Sequence, residues 1–143
     1  MRLDHIGDLL LTTPAIRALK RRFPQSSLSL LASPSSLPAV AGIPEIERSH
    51  SFRVPWYDGG RAQRFPALGY IRLIRRLRRE HYDAAIDFRG DIRVMFLFLL
   101  LSGARQRIGF SDLGGEFLLT RARPYDAGRH FAELNLALAG SLA

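Results

Sequence analysis

The sequence predicts an α/β fold in which flanking helices cover a parallel β-sheet. Short apolar runs alternate with amphipathic stretches along the 143 residues, which is the pattern of consecutive β-α-β units. The first unit leads from residues 1–24 to an apolar run at 28–31, and a third clear strand follows at 84–88. Crossovers between parallel strands are right-handed, so we expect the carboxyl ends of these strands to share one edge of the sheet. The length fits one domain.

Apolar periodicity and helix-breaking residues place the elements between residues 1 and 54. Pro14 stands near the start of the first helix, and Pro24 follows its basic end, as is typical of helix termini. The Ser- and Pro-rich stretch 33–44 is typical of a short helix between turns. In order, the predicted elements are an extended piece ending at Leu3, a helix from about Asp8, a strand at 28–31, a short helix at 37–41 and a strand within 46–54.

The rest of the chain alternates in the same way. Within 68–79, the residues Ile71, Ile74 and Leu77 share one helix face and arginines cover the other. Asp91 is placed to cap the following helix. In order, the predicted elements are a loop at 55–66, a helix at 68–79, a strand at 84–88, a helix at 91–101, a strand at 107–110, a turn at 112–115 and a helix at 129–138.

Charge and composition restrict the partners of the chain. Twenty-one Lys and Arg against 13 Asp and Glu give a net charge of +8, which favours phosphates, acidic sugars or anionic lipid headgroups. Nearly all of this charge is arginine, which binds such groups at two points, although a high-GC genome also enriches arginine. The absence of cysteine excludes disulfides and thiolate sites. The apolar run 94–101 is shorter than the roughly 20 residues of a membrane span, so we expect a cytoplasmic protein.

Four segments of the sequence resemble glycosyltransferase family 9, the heptosyltransferase family of lipopolysaccharide assembly. The most specific is MRLDHIGDLLLTTPAIRALKRRFP at 1–24, which combines a Gly-Asp corner, a Thr-Pro pair and helix periodicity. The others are YDAAIDFRGDIR at 82–93, ARQRIGF at 104–110 and the stretch 130–136. The resemblance implies a Rossmann-like parallel sheet that forms the N-terminal half of a GT-B glycosyltransferase, in which two lobes face each other across a cleft.

The resemblance also implies a function for the chain. Residues 1–143 correspond to an acceptor-binding N-terminal lobe, truncated at both ends, without the C-terminal donor-binding lobe. The complete enzyme is expected to be an inverting glycosyltransferase that transfers heptose or a similar sugar to a lipopolysaccharide core or similar anionic glycan. Its co-substrate is an ADP-heptose-like nucleotide sugar, with no other cofactor, no metal and no nucleic-acid partner. Peripheral contact with the cytoplasmic face of the inner membrane is a further expectation, and the fragment alone is predicted to be inactive.

Asp8 is the candidate catalytic residue, because it matches the aspartate that acts in this family as the base toward the acceptor hydroxyl. Gly7 is expected to shape the sharp corner before it. The start of a helix stabilises the charged form of a carboxylate, so a carboxylate there is a weak base. An oxocarbenium-like transition state requires no stronger base. The alternative is that Asp8 only caps its own helix.

Arginines at strand ends and in loops are the candidate acceptor-binding residues. Arg89 and Arg93 flank a glycine at the carboxyl end of a predicted strand and are expected to project toward the same crevice as Asp8. Arg61 and Arg64 lie in the 55–66 loop and could form a second clamp. The alternative for each is a solvated surface charge.

The histidines give no recognised metal-ligand spacing. Asp4 and His5 are adjacent in an extended segment, so their side chains should point to opposite faces rather than act as a pair. His130 is interpreted as a capping or packing residue.

Two other functions remain open from the sequence. The basic charge also fits a non-enzymatic α/β module that binds nucleic acid or an anionic membrane surface, although no nucleic-acid-binding signature is present. A different nucleotide-binding α/β domain is the other alternative, and the chain lacks the glycine fingerprint of that class.

Overall fold

A computed structural model of the protein describes residues 1–57 and 64–142. The strands are β1 (Ser29–Ala32), β2 (Arg48–Ser51), β3 (Ala84–Ile86), β4 (Gln106–Phe110) and β5 (Arg121–Arg123). The helices are α1 (Ile6–Leu10), α2 (Thr13–Arg22), α3 (Ala67–Arg79), α4 (Ile92–Val94, continued by π-helical turns over Met95–Leu100) and α5 (Phe131–Ala139). Single 3₁₀ turns cover Leu37–Val40, Pro55–Tyr57 and Glu116–Leu118.

All the strand pairs are parallel, and the N-terminal residues join two ladders into one sheet. β1 pairs with β2, and β4 pairs with both β3 and β5. Between β1 and β3, the Arg2 N–H donates to Leu31 O at 2.9 Å and the Phe88 N–H donates to Met1 O at 3.2 Å. The spatial order is therefore β2, β1, residues 1–3, β3, β4 and β5.

Starting from residues 1–3, the chain adds β1 and β2 on one side and then β3, β4 and β5 on the other side. This reversal in the direction of strand addition is the pattern of a doubly wound sheet. In such sheets, ligand sites lie in the crevice beyond the carboxyl ends of the strands on either side of the reversal. The predicted α/β class with a parallel sheet and flanking helices is confirmed. The crevice is formed by the chain that follows Leu3 and the chain that follows β3.

Helices cover both faces of the sheet. On one face, α2 and α5 pack on β3 and β4 through buried residues that include Leu19, Ile108 and Leu138. On the other face, α3 and α4 pack on the sheet through residues that include Leu77 and Phe98. Of the stripe predicted for α3, Leu77 is buried and Ile74 is partly buried, but the placement of Ile71 on the same face is wrong, because Ile71 is 44% exposed and Leu73 is buried instead.

Three local features differ from the predictions. The first helical stretch is divided into α1 and α2 near Thr12, whose hydroxyl donates to Asp8 O at 2.9 Å, while the buried Asn135 of α5 donates to Leu11 O at 3.1 Å. β5 was not predicted, because its three residues are exposed at the sheet edge and carry no apolar pattern. The expected sharp turn at Gly7 is wrong, because Gly7 lies in the first turn of α1 and is not among the positive-φ residues.

Gly90, rather than Gly7, is the position beside the crevice where the backbone conformation requires glycine. Its φ is +83°, and a Cβ there would clash with Cδ1 of Leu113, whereas a Cβ on Gly7 would meet nothing within 4 Å. We expect Gly90→Ala to lower the free energy of unfolding by about 1–3 kcal/mol, measured by urea denaturation. Gly7→Ala is the matched control and should be neutral or slightly stabilising. Equal losses for the two variants would contradict this explanation.

Candidate active site

The buried side chain of Arg2, 2% exposed, lies at the centre of the crevice. Its Nε is 2.8 Å from Asp4 Oδ1 and its Nη2 is 3.2 Å from Asp8 Oδ1. The contact with Asp4 is an ion pair without the alignment of a hydrogen bond. Nη1 donates to Phe88 O, beyond the end of β3. One guanidinium thus connects both carboxylates to the strand on the other side of the sheet reversal.

Asp4 is a structural carboxylate with no exposed side-chain surface. Besides its contact with Arg2, its Oδ2 accepts a hydrogen bond from Arg89 Nη1 at 2.8 Å. Its carbonyl oxygen accepts from the hydroxyls of Ser33 and Ser36 at 3.3 and 3.2 Å. A buried charge needs such partners, so the Asp4 carboxylate is held by protein groups. The interpretation of Asp4 and His5 as independent residues agrees with this arrangement, because His5 is exposed.

Asp8 is the more open of the two carboxylates. It is the third residue of α1, and its side chain is 24% exposed, with Oδ1 turned toward Arg2. His5 occupies the N-cap position of α1, and that cap involves no side-chain hydrogen bond. The alternative interpretation of Asp8 as the N-cap residue is therefore wrong. Asp8 presents a fixed and partly accessible carboxylate at the crevice.

Arg89 lies beside Asp4 and also stacks on an aromatic ring. Its guanidinium carbon is 5.2 Å from the centroid of the Tyr57 ring, and its side chain is 41% exposed. Burial alone would lower the pKa of Arg89, but the neighbouring Asp4 carboxylate outweighs burial and raises it. Arg89 therefore remains charged, and its side chain is partly accessible.

A second cluster continues outward from Tyr57. The Tyr57 hydroxyl donates to Asp91 Oδ2 at 2.8 Å, and Arg93 Nη2 lies 2.8 Å from the same oxygen. Arg93 also lies over the Trp56 ring, 4.7 Å from its centroid. Burial opposes the charged form of Asp91, but the hydrogen bonds from Arg93 and Tyr57 lower its pKa to about 2. The predicted capping role of Asp91 is confirmed, since its side chain accepts from the Arg93 N–H at 2.9 Å.

The turn after β3 positions Arg89. The buried Asp87 carboxylate accepts from the Gly90 N–H at 3.0 Å and from the Arg89 N–H at 3.2 Å. Burial raises the pKa of Asp87, an effect opposed by the Met1 ammonium and by these two backbone donors. The turn and the positive φ of Gly90 together direct the Arg89 side chain back toward Asp4.

The predicted acceptor-binding arginines have different locations. Arg89 joins the cluster that contains Asp8, through Asp4 and Arg2. Arg93 pairs with Asp91 over Trp56, and its projection toward the crevice of Asp8 stays a prediction. Arg64 is exposed, and Arg61 lies outside the described residues.

Sequence reasoning missed Arg2, which contacts both Asp4 and Asp8. A signal was present, because residues two apart in an extended segment share a face, and Arg2 and Asp4 are related in this way. His130 has the capping role that was predicted, since its Nδ1 accepts from the Ala132 N–H at 3.3 Å.

The crevice contains a cavity of about 230 Å³, whose lining includes Asp4, His5, Ser35 and Tyr57. A larger groove of about 620 Å³ opens at the opposite edge of the sheet. Asp8 lines neither of these two cavities, and the charged cluster borders the smaller one through Asp4. The smaller cavity is the one next to the charged cluster. Within residues 1–57 and 64–142, no group of three or more His, Asp or Glu is arranged to hold a metal ion. No helix in this described part is long and apolar enough to cross a bilayer.

Comparison with known sequences gives two curated relatives, and no protein-family model matches the chain. Both are named lipopolysaccharide heptosyltransferase 3 and come from Escherichia coli, one of them from strain K12. The K12 relative is 29% identical over 139 residues, which covers 92% of this chain and 38% of the relative. The other is 29% identical over 103 residues, covering 71% of this chain and 28% of that relative. The chain thus spans well under half the length of these relatives.

Solved structures match nearly the whole chain. E. coli heptosyltransferase WaaC with ADP superposes with a TM-score of 0.83 at 18% identity, covering 99% of this chain and 48% of that one. The glycosyl transferase family 9 structure from Veillonella parvula DSM 2008 superposes with a TM-score of 0.81 at 20% identity, covering 98% and 39%. At these identities the match shows the fold. Together with the curated relatives, it confirms the predicted resemblance to glycosyltransferase family 9.

Proposed function

We propose that this chain is the acceptor-binding lobe of an inverting GT-B glycosyltransferase of the lipopolysaccharide pathway. The observation that carries the proposal is the Asp8 carboxylate, which is partly exposed at the sheet crevice while Arg2 contacts its Oδ1 at 3.2 Å. A general base needs this combination of access to substrate and a fixed position. The sugar transferred would be heptose or a similar sugar, and a second lobe would bind its nucleotide carrier.

The names of related proteins support this choice of donor. One solved structure is described as E. coli heptosyltransferase WaaC with ADP-2-deoxy-2-fluoro heptose, and it superposes on this chain with a TM-score of 0.82. We propose that the donor is likewise an ADP-linked heptose or a close analogue. It would face Asp8 from the opposite side of the cleft.

Proton transfer to Asp8 is the proposed role of this lobe in the reaction. The acceptor hydroxyl oxygen forms a bond to the anomeric carbon of the donor, and the nucleoside diphosphate leaves with the electron pair of the broken bond. As the new bond forms, Asp8 accepts the hydroxyl proton. With an oxocarbenium-like transition state the hydroxyl becomes acidic late, so a correctly placed carboxylate is sufficient.

Arg89 is the proposed anchor for a phosphate or acidic sugar on the acceptor. One of its nitrogens binds Asp4, and with 41% of the side chain exposed the fork can also reach a ligand. Arg64 and Arg61 would extend the basic rim. For Arg93 we propose a positioning role instead, because Asp91 already neutralises its charge. Gly7 would leave room for the acceptor beside Asp8, since nothing lies within 4 Å of the place of its missing Cβ.

The outer face of α3 is the proposed contact with an anionic membrane surface. Leu68 is 73% exposed and Ile71 is 44% exposed at the start of this helix. The following exposed face is basic, a combination that suits the boundary between headgroups and acyl chains. Its arginines are Arg72, Arg75, Arg76, Arg78 and Arg79.

Binding of an acceptor fragment tests this proposal on the chain itself. We expect a phosphorylated lipopolysaccharide core oligosaccharide to perturb the amide resonances of residues 4–8 and 89–91. Arg89→Gln should weaken its binding by about 10- to 100-fold, the usual range for a lost charge-assisted hydrogen bond. The matched control is Arg121→Gln, since Arg121 is exposed on β5 and donates to Ser141 O at 2.8 Å.

The same titration separates the enzyme lobe from a simple basic module. Equal weakening by the two variants, with no perturbation at residues 4–8, would contradict an acceptor site in the crevice. If anionic vesicles alone bound, through α3, the non-enzymatic alternative would be favoured.

A further inference from the structure

The corner between α1 and α2 is held by a side-chain hydroxyl in place of a backbone amide. In an uninterrupted helix, Asp8 O would accept a hydrogen bond from the Thr12 N–H. That N–H donates to Leu9 O at 3.0 Å instead. The Thr12 hydroxyl donates to Asp8 O at 2.9 Å and so replaces the missing backbone bond. The backbone of Asp8 is therefore tied to the Thr12 side chain.

Pro14 requires the helix to break at this corner. A continuous helix would pair Leu10 O with the N–H of residue 14, which proline lacks. The Thr13 hydroxyl donates to Leu10 O at 2.8 Å instead. α1 consequently contains only five residues, and a helix of that length is not stabilised by its own hydrogen bonds. The orientation of α1 thus depends on the groups that hold its ends.

Asn135 of α5 holds the same corner from a distant part of the chain. Its side chain is buried, and its Nδ2 donates to Leu11 O at 3.1 Å and to Thr12 Oγ1 at 3.3 Å. Because Leu11 O can only accept, the amide nitrogen of Asn135 must face the corner. Thr12 Oγ1 accepts from this nitrogen and gives its own proton to Asp8 O. The hydrogen bonds therefore run in one direction, from Asn135 through Thr12 to Asp8.

Packing alone does not account for an asparagine at this buried position. Its Oδ1 is buried and has no hydrogen-bond partner within residues 1–57 and 64–142. A leucine of similar volume would avoid the cost of that unsatisfied oxygen. Leucine could not, however, donate to Leu11 O and Thr12 Oγ1. The two donated hydrogen bonds are what asparagine contributes here.

We propose that Asn135 is a positioning residue for glycosyl transfer, which acts on the Asp8 carboxylate through Thr12. Arg2 contacts the carboxylate itself at 3.2 Å, and the hydrogen bonds from Asn135 hold the backbone that carries it. Both are needed, because a short side chain follows its backbone and a base displaced by about 1 Å loses much of its effect. The inference rests on the proposed function, in which Asp8 is the base.

The turnover number of a two-lobed chain that carries this sequence tests the proposal. Asn135→Leu and Thr12→Val remove the hydrogen bonds at similar volume, and we expect each to lower the turnover number about 10- to 100-fold. The dissociation constant of the acceptor should stay nearly constant, because both side chains are buried. Thr12→Ser keeps the hydroxyl and should retain most of the turnover. Leu138→Val, at a buried apolar position of α5, is the matched control and should keep full turnover.

The same substitution in an Asp8→Asn background separates positioning from general damage to the fold. Because Asn135 acts through Asp8, Asn135→Leu should cause no further loss once the base is absent. An equal fractional loss in both backgrounds would show a purely structural role and overturn the inference. Full turnover of Asn135→Leu, with Asp8→Asn impaired, would overturn it and leave the proposed function standing. Wild-type transfer by Asp8→Asn would overturn both.

Hydrogen exchange in the 143-residue chain tests the corner independently of any reaction. The Leu11 N–H donates to Gly7 O at 3.0 Å at the end of α1. We expect Asn135→Leu to speed exchange of the Leu11 amide by about tenfold or more. The Asp87 amide, which donates to Ile108 O at 2.9 Å, should change little. Unchanged exchange at Leu11, or an equal increase at both amides, would overturn the inference.

Discussion

Replacing Arg2 by methionine is expected to lower the free energy of unfolding by about 3–5 kcal/mol, because a buried carboxylate would lose a charged partner. The Asp4 side chain has no exposed surface and is held between Arg2 and Arg89. Without Arg2, Arg89 is the remaining cation in contact with Asp4 among residues 1–57 and 64–142, and Phe88 O loses a donor. Methionine fills a similar volume, so the loss reports the missing charge rather than a cavity.

Urea denaturation of two further variants checks the origin of this loss. Arg2→Met combined with Asp4→Leu should recover much of the stability, because removing both members of a buried pair is often close to neutral. Arg48→Met removes an ion pair with Glu80 at the surface and should have a much smaller effect. If Arg2→Met were as mild as Arg48→Met, the central role of Arg2 in the fold would be contradicted.

The sequence pattern was sufficient to predict the arrangement of most elements. Apolar runs at 28–31 and 84–88 became β1 and β3, and Leu77 of the predicted stripe lies on the buried face of α3, whereas Ile71 of that stripe is exposed. These elements follow from local periodicity, because burial of one face decides where they form. β5 has no such pattern, since its pairing with β4 depends on backbone groups rather than on apolar side chains.

The candidate site was less accessible to sequence reasoning, because its contacts join distant parts of the chain. Arg2 reaches Phe88 O, 86 residues away, and Arg89 reaches Asp4 across 85 residues. Arg93 is predicted at the crevice because it lies near Arg89 in sequence, and in the structure Asp91 is within its reach and pairs with it. The ion-pair partner of each arginine depends on the backbone turn at Gly90, and that partner cannot be predicted from residue type alone.

Asp8→Asn is expected to reduce glycosyl transfer by about 10²- to 10⁴-fold, the usual contribution of a general base. Asparagine keeps the shape of the side chain and its contact with Arg2, but its amide cannot take up the acceptor proton. Binding of the acceptor should change little, because Arg89 and the crevice remain intact. The turnover number should therefore fall while the dissociation constant of the acceptor stays nearly constant.

The most direct measurement compares the turnover number of wild-type and Asp8→Asn enzyme at saturating acceptor, in a two-lobed chain that carries this sequence as its acceptor lobe. Asp126→Asn is the matched control, because Asp126 is exposed and pairs with Arg129 at 3.6 Å away from the sheet crevice. The account predicts a loss of at least about 100-fold for Asp8→Asn and full activity for the control. Transfer by Asp8→Asn at the wild-type rate would contradict the assignment of Asp8 as the base.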